Sequence, residues 1–129
     1  MEKSKAEQIK GCSGEFVLAL NDTMNVLNGK WKLPLIGYLL FGAKRFSDLE
    51  RDIPNITPRM LSKELKELEI NGIVERKVFD TRPLKVEYTL TESGYKLREV
   101  LDAMIEWGLA HRDLQKRLFR QQRFESVKD

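Results

Sequence analysis

The sequence predicts a mainly α-helical domain that carries one small β-hairpin. Over most of the chain, apolar residues recur every three or four positions, which is the spacing of one helix face. Between residues 74 and 90 the pattern changes to alternation, which is typical of strands. The 129 residues are enough for one domain with its own core. A two-stranded hairpin is only marginally stable alone, so we expect it to pack against the helices.

Two helices are predicted in the first third of the chain. Apolar residues have helical spacing over 15–27, and Asn28–Gly29 is a common kind of helix end. The next stretch, "KWKLPLIGYLLF", is apolar on most sides and is predicted to be the central buried helix, ending at Gly42. Pro34 is expected in its first turn, where a missing N–H is tolerated.

A tight turn between two further helices is predicted next. Ser47 and Glu50 have the spacing of a capping box, and Pro54 is expected to end the short helix that they begin. Thr57 is then a favoured N-cap, and proline is a favoured first residue for the helix predicted over 58–70. A second Asn-Gly pair is expected to end that helix.

The second half of the chain is predicted to form the hairpin and a long helix. The strands are expected over 74–79 and 85–90, and Thr91 is expected to cap the long helix, which Gly108 weakens or bends. A helix-turn-helix followed by a hairpin is the winged-helix arrangement. The expected division of the chain is a flexible segment over 1–14, a winged-helix domain over 15–108 and a helical extension over 109–129.

The helix predicted over 58–70 has two opposite faces. At about 100° per residue, its leucines share one sector, and these are Leu61, Leu65 and Leu68. A hydroxyl and three cations lie nearly opposite, and these are Arg59, Ser62, Lys63 and Lys66. Glu64 and Glu67 lie at the margins and are interpreted as surface residues. Such a basic stripe is usually only a solvated face, but here it follows a capped helix and a tight turn, as in a DNA-binding helix-turn-helix.

We therefore expect this helix to enter the major groove of double-stranded DNA, with the hairpin tip at about 79–86 as a wing on the backbone or in the minor groove. Arg59 lies in the first turn and can bind a guanine edge with two hydrogen bonds, whereas Ser62 suits a base or a phosphate. Thr57 either helps to bind a phosphate or only caps the helix. Four further cations suit phosphates, and these are Lys63, Lys66, Arg82 and Lys85.

The composition excludes several other classes of function. Cys12 and His111 are the one cysteine and the one histidine, so neither an intramolecular disulfide nor a Cys/His zinc site can form within one chain. We find no Gly-rich phosphate loop and no Cys/His catalytic pair, so neither an enzyme nor a cofactor is expected. The start lacks the apolar segment of a signal peptide, and no apolar run approaches the roughly 20 residues of a membrane span. A cytoplasmic protein without a membrane partner is the expectation.

Four patterns occur together in the chain, and these are "GKW", "GAKRFSDL", "ITPRMLSKELKELEINGIVER" and "PLKVEYTLTESG". In this combination the chain resembles, over roughly residues 12–108, the HxlR-type bacterial winged-helix transcription regulators. The resemblance implies a homodimer on a palindromic operator, with a dimer interface made by the N-terminal and C-terminal helices. Here that interface would include Phe16, Leu20, Trp107, Leu114 and Leu118. Exposed apolar stripes on so small a domain agree with a partner helix.

Some members of this family sense oxidants or electrophiles through a cysteine just before the first helix. Cys12 matches that position, although "CSG" replaces the more usual "CP". Lys10 favours a reactive thiolate and Glu15 opposes it, so a cysteine without a redox role is the open alternative. A small-molecule effector is left unidentified, since no polar cluster marks a pocket. The alternative function is a winged-helix module for protein–protein interaction without direct DNA reading.

Overall fold

The computed structural model describes residues 4 and 14–128, and it confirms the mainly helical fold with one antiparallel hairpin. In chain order the elements are α1 (Glu15–Val26), α2 (Lys32–Leu39), α3 (Phe46–Asp52), α4 (Pro58–Ile70), β1 (Val74–Phe79), β2 (Lys85–Leu90), α5 (Glu92–Tyr95) and α6 (Arg98–Lys128). The helix-turn-helix made by α3 and α4, followed directly by the hairpin, is a winged helix. Cys12, the predicted redox-sensing residue, lies outside the described residues.

The centre of the core is α2, as its apolar composition predicts. Leu35, Ile36 and Leu39 are fully buried, and they share one cluster with the three leucines of α4 and with Leu101 of α6. Pro34 is the third residue of α2, inside the first turn, where the helix needs no N–H from it. The core therefore joins the helix-turn-helix to the long C-terminal helix.

The hairpin is fastened to the helices at its base. The strands pair antiparallel from Val74 opposite Leu90 to Phe79 opposite Lys85. Lys44, just before α3, forms a further bridge to Tyr88, with N–H to O distances of 3.0 and 2.7 Å. The bridge and the buried strand ends hold the hairpin against the helices, which an isolated hairpin could not do for itself.

The predicted capping box at Ser47 and Glu50 is wrong. Helix α3 begins earlier, at Phe46, because Arg45 is the N-cap residue and its backbone N–H donates to the Asp48 carboxylate over 3.0 Å. Asp48 thus occupies the third helical position, which is where an acceptor can reach back to the N-cap. The sequence "RFSDLE" offers two overlapping choices of start, and the arginine-first choice lets Phe46 pack against the core.

The expectation that Thr91 caps the long helix is also wrong. Thr91 caps the short helix α5, where its hydroxyl accepts the N–H of Gly94 over 3.1 Å, and α6 begins only at Arg98. The short helix lies tightly on the sheet end, since a Cβ on Gly94 would collide with the carbonyl oxygen of Ile73. Helix α6 then continues through Gly108 without interruption.

Candidate nucleic-acid interface

Helix α4 is held by its leucines and presents its polar face outward. Leu61, Leu65 and Leu68 are at most 1% exposed. The opposite face is exposed and consists of Arg59, Ser62, Lys63 and Lys66. None of its three cations forms an ion pair with a carboxylate of the described residues. The structure thus brings together four of the residues predicted to meet DNA on one open helical face.

The N-terminus of α4 has the predicted cap. The Thr57 hydroxyl oxygen accepts the N–H of Met60 over 3.1 Å, and Pro58 is the first helical residue. The Thr57 hydroxyl can still donate its own hydrogen, and the Arg59 N–H belongs to the first turn, where helices leave N–H groups without intrahelical partners. This end of α4 therefore has the groups that an anion needs.

The turn between α3 and α4 is fixed by buried anchors. Ile53 and Ile56 are buried on either side of it, and Asn55 adopts a left-handed conformation with φ of 66°. The Tyr38 hydroxyl of α2 donates to the Asp52 carbonyl at the end of α3 over 3.0 Å. These contacts set the angle at which α4 leaves the turn.

The wing carries its two predicted cations in different environments. Arg82 is exposed at the hairpin tip. Lys85 is half-buried, its Nζ lies 2.9 Å from Glu87 Oε1, and it sits 5.1 Å from the centre of the Phe79 ring. Lys85 would have to leave the Glu87 carboxylate, or share it, to bind a phosphate, whereas Arg82 would not.

A buried ion cluster beside α4 was not predicted. Lys32 of α2 is 1% exposed, and its Nζ donates to Glu64 over 2.6 Å, to Glu67, and to the Asn28 side chain over 2.9 Å. The interpretation of Glu64 and Glu67 as plain surface residues is therefore wrong, since the Glu64 side chain is only 12% exposed. No local sequence pattern indicates the cluster, because Lys32 lies 32 and 35 positions before the two glutamates in the sequence.

The cluster favours the charged forms of Lys32 and Glu67. Burial by itself disfavours the Lys32 ammonium, but hydrogen bonds and charge from the two glutamates outweigh this and raise the pKa of Lys32 above its ordinary 10.5. The hydrogen bond from Lys32 lowers the pKa of Glu67 below its ordinary 4.5. The ion pair between Lys32 and Glu67 is therefore charged at neutral pH.

The residues expected at a dimer interface lie on the two terminal helices. On α1 no residue is buried, Phe16 is half-buried and Leu20 is exposed. On α6, Trp107 is 67% exposed and stacks on His111 with ring centres 4.7 Å apart. Leu114 and Leu118 follow at helical spacing on the same face and are also exposed. Both helices thus present unpartnered apolar side chains.

Two further properties bear on the kind of protein. Within the described ranges, no three or more His, Cys, Asp or Glu side chains come together as a metal site would require. Among the same residues, no helix combines the length and the apolar character needed to cross a membrane.

Comparison with known proteins gives a consistent result. Residues 26–116 match the model of the HxlR-like helix-turn-helix family. The HTH-type transcriptional regulator YybR of Bacillus subtilis is 45% identical over 105 residues, which cover 81% of this chain and 79% of YybR. An HTH-type transcriptional regulator of Methanothermobacter thermautotrophicus is 43% identical over 94 residues, covering 73% of this chain and 72% of the relative.

A solved structure extends the likeness to the fold. The redox regulator HypR in its reduced form superposes with a TM-score of 0.72 at 44% identity, covering 76% of this chain and 97% of HypR. The chain is therefore a transcriptional regulator of the winged-helix type and belongs to the HxlR-like helix-turn-helix family.

Proposed function

We propose that the protein acts as a homodimer on a palindromic DNA operator, with α4 in the major groove and the wing, about residues 79–86, on the backbone or in the minor groove. The observation that carries this proposal is the exposed basic face of α4, which lies opposite three buried leucines and whose cations form no ion pair with the carboxylates that the structure describes. A helix held this way fits the major groove and offers Arg and Lys where base edges and phosphates lie.

The proposed roles follow from position and chemistry. Arg59, exposed in the first turn, reads a base edge, and Ser62 contacts a base or a phosphate. Thr57 keeps its cap and adds a phosphate contact through its hydroxyl hydrogen. Lys63, Lys66 and Arg82 bind phosphates, and Lys85 contributes less because Glu87 already neutralises it.

The proposed dimer uses the apolar sides of the terminal helices, α1 with Phe16 and Leu20, and α6 with Trp107, Leu114 and Leu118. Exposure of these side chains supports the proposal, because soluble monomers rarely expose extended apolar surface. A two-fold dimer would present its two α4 helices to half-sites about 34–36 Å apart. In this scheme residues 15–108 form the DNA-binding unit and residues 109–129 are a helical extension. We propose the cytoplasm as its location, where the proposed DNA operator would be bound.

Selection from a random DNA pool tests the proposal. The purified protein should enrich a palindrome whose half-sites lie one helical turn apart, and its affinity should fall steeply as salt rises, because phosphate contacts release counterions. Enrichment of no common sequence would contradict operator reading. Salt-independent association with another protein would instead support the alternative, a winged-helix interaction module.

We further propose that oxidants or electrophiles alter DNA binding through Cys12, the one cysteine of the chain. Support comes from the similar structures, which include HypR, a redox regulator solved in reduced and oxidized forms, and YodB, which was solved reduced and diamide-treated. Diamide should change the affinity of the wild-type protein for its selected DNA and leave Cys12→Ser unaffected. An equal response of both proteins would contradict a role for Cys12.

A further inference from the structure

The Lys32 cluster, made of Lys32, Asn28, Glu64 and Glu67, joins the central core helix to the helix proposed to meet DNA. Lys32 lies in the first turn of α2, and its Nζ donates to both glutamates of α4. The amine is almost fully buried, whereas the Glu67 side chain is 39% exposed. The cluster thus reaches from the core to the edge of the exposed face of α4.

Glu67 lies next to a cation that this face presents. It follows Lys63 by one helical turn, and residues four apart on a helix are neighbours that can form an ion pair. The hydrogen bond and charge of Lys32 lower the pKa of Glu67, and the charge of Lys63 adds to this effect. Even so, the carboxylate is bound to Lys32, and Lys63 forms no ion pair with any carboxylate that the structure describes.

Stability alone does not account for this arrangement. Desolvating a lysine and a nearly buried glutamate is costly, and apolar side chains of similar size often serve a protein core as well or better. The cluster does, however, hold two carboxylates of α4 away from the cations of that helix. Two of its three glutamates, Glu64 and Glu67, are drawn toward α2, whereas its cations stay exposed.

We propose that Lys32 is a positioning residue for DNA binding: it draws the carboxylates of Glu64 and Glu67 toward α2 and thereby leaves Lys63 free for a phosphate. This inference rests on the proposed DNA binding by α4. Without Lys32, the Glu67 carboxylate pairs with Lys63 and removes a cation from the DNA-binding face. Lys32 itself never touches DNA in this mechanism.

The test measures how Glu67→Gln changes DNA affinity in proteins with and without Lys32. The first comparison is wild type against E67Q, and the second is K32M/E64Q against K32M/E64Q/E67Q. Each comparison removes one negative charge, so the general attraction to DNA changes equally in both. The probe is a random-sequence duplex of about 30 base pairs at low salt, where phosphate contacts dominate binding. Circular dichroism confirms that each variant is folded at the assay temperature.

We expect E67Q to raise DNA affinity about tenfold more when Lys32 is absent than when it is present, with the difference shrinking as salt rises. Adding Lys63→Gln to the pair that lacks Lys32 should abolish this extra gain. In a Lys32→Arg protein, E67Q should change DNA affinity as it does in wild type, because arginine keeps the positive charge that holds the two carboxylates. Glu69→Gln, which removes a carboxylate not held by Lys32, should have equal effects with and without Lys32.

An equal effect of E67Q in both comparisons overturns the proposal and leaves Lys32 with a packing role only. Failure of DNA binding in general is distinguished from this result, because wild-type affinity would then be weak and insensitive to salt. If K32M/E64Q does not fold, K32M/E64M replaces it, since apolar side chains can fill the space that the charged pair leaves.

Discussion

Arg59 is the residue on which base reading is proposed to depend most. It is exposed in the first turn of α4, and no described carboxylate holds it in an ion pair. We predict that Arg59→Ala weakens binding to the selected operator by about 1–3 kcal/mol and relaxes preference at one base pair. Repeating the selection and titrating single-base operator variants checks this.

The matched control for this variant is Arg112→Ala, which removes an arginine of α6 that is also exposed. It should leave the base preferences unchanged. If Arg59→Ala instead weakens binding to all sequences alike, Arg59 contacts a phosphate and base reading must be assigned to another residue, with Ser62 the next candidate.

At the scale of single residues, the sequence was informative where the cause is local. Thr57 was predictable as a cap because its partner, Met60, lies three positions away and a proline stands between them. Lys32 was not predictable, because a lysine between Trp31 and Leu33 gives no sign of a partner in another helix. Only packing of α2 on α4 brings Glu64 to it.

Among the elements, α3 carries a charge-dependent start. The N–H of Arg45 donates to Asp48 and lowers the pKa of that carboxyl below its ordinary 3.8, with help from the charges of Arg51 and Lys44. A lowered pKa in the folded state stabilises the protein above pH 3.8, and this contribution is lost as pH falls through the folded-state value.

Asp48→Ala should therefore lower the melting temperature at neutral pH. The difference in melting temperature from wild type should shrink progressively below pH 3.8. Melting curves of both proteins across this acid range check the prediction. The pH dependence that remains in the variant reports other lowered carboxyls, among them Glu67 and Asp113. If the difference in melting temperature between the two proteins stays constant down to the lowest pH, Asp48 does not cap α3 as a carboxylate.

The wing offers a matched pair of cations. Arg82 is exposed and unpaired among the described residues, whereas Lys85 already contacts Glu87. Arg82→Ala should weaken binding to all sequences and reduce the slope of log affinity against log salt by about one, and Lys85→Ala should reduce it less. Salt titrations of the two variants measure both slopes. A larger effect of Lys85→Ala would mean that its ion pair opens on DNA.

The elements were largely predictable, but their exact ends were less so. Hydrophobic spacing and turn residues define α4 and the hairpin, since each has a cap or a change of period beside it. The start of α3 and the break between α5 and α6 depend on tertiary contacts. Phe46 packs on the core, and Gly94 lies against Ile73, so position in the fold selects among helix starts that the sequence leaves equivalent.

At the scale of the whole molecule, apolar side chains remain exposed on both terminal helices. Leu20 and Met24 of α1 are more than half exposed, as is Trp107 of α6. A single domain of this size cannot bury these side chains along with its own core. The proposed dimer would cover them, and DNA with two half-sites would then be bound by two α4 helices at once.

Trp107→Ala should shift the protein toward the monomer. Trp107 is 67% exposed, so its removal takes little from the core and the fold should persist. A large aromatic side chain buried between two copies would leave a costly gap when it is truncated, typically worth about 2 kcal/mol or more per hot-spot residue. Sedimentation equilibrium over a range of concentrations measures the dimer dissociation constant.

Leu84→Ala provides the control for the oligomeric state, because Leu84 is similarly exposed, at 64%, but lies in the wing and on neither terminal helix. It should leave the dimer unchanged. Trp107→Ala should also differ from wild type on DNA, since a monomer engages one half-site and loses the gain in affinity that comes from linking two sites. Trp107→Ala would then bind a single half-site as tightly as wild type and the full palindrome more weakly. A variant that remains as dimeric as wild type would remove Trp107 from the interface, which would then depend on the other exposed apolar side chains of α1 and α6.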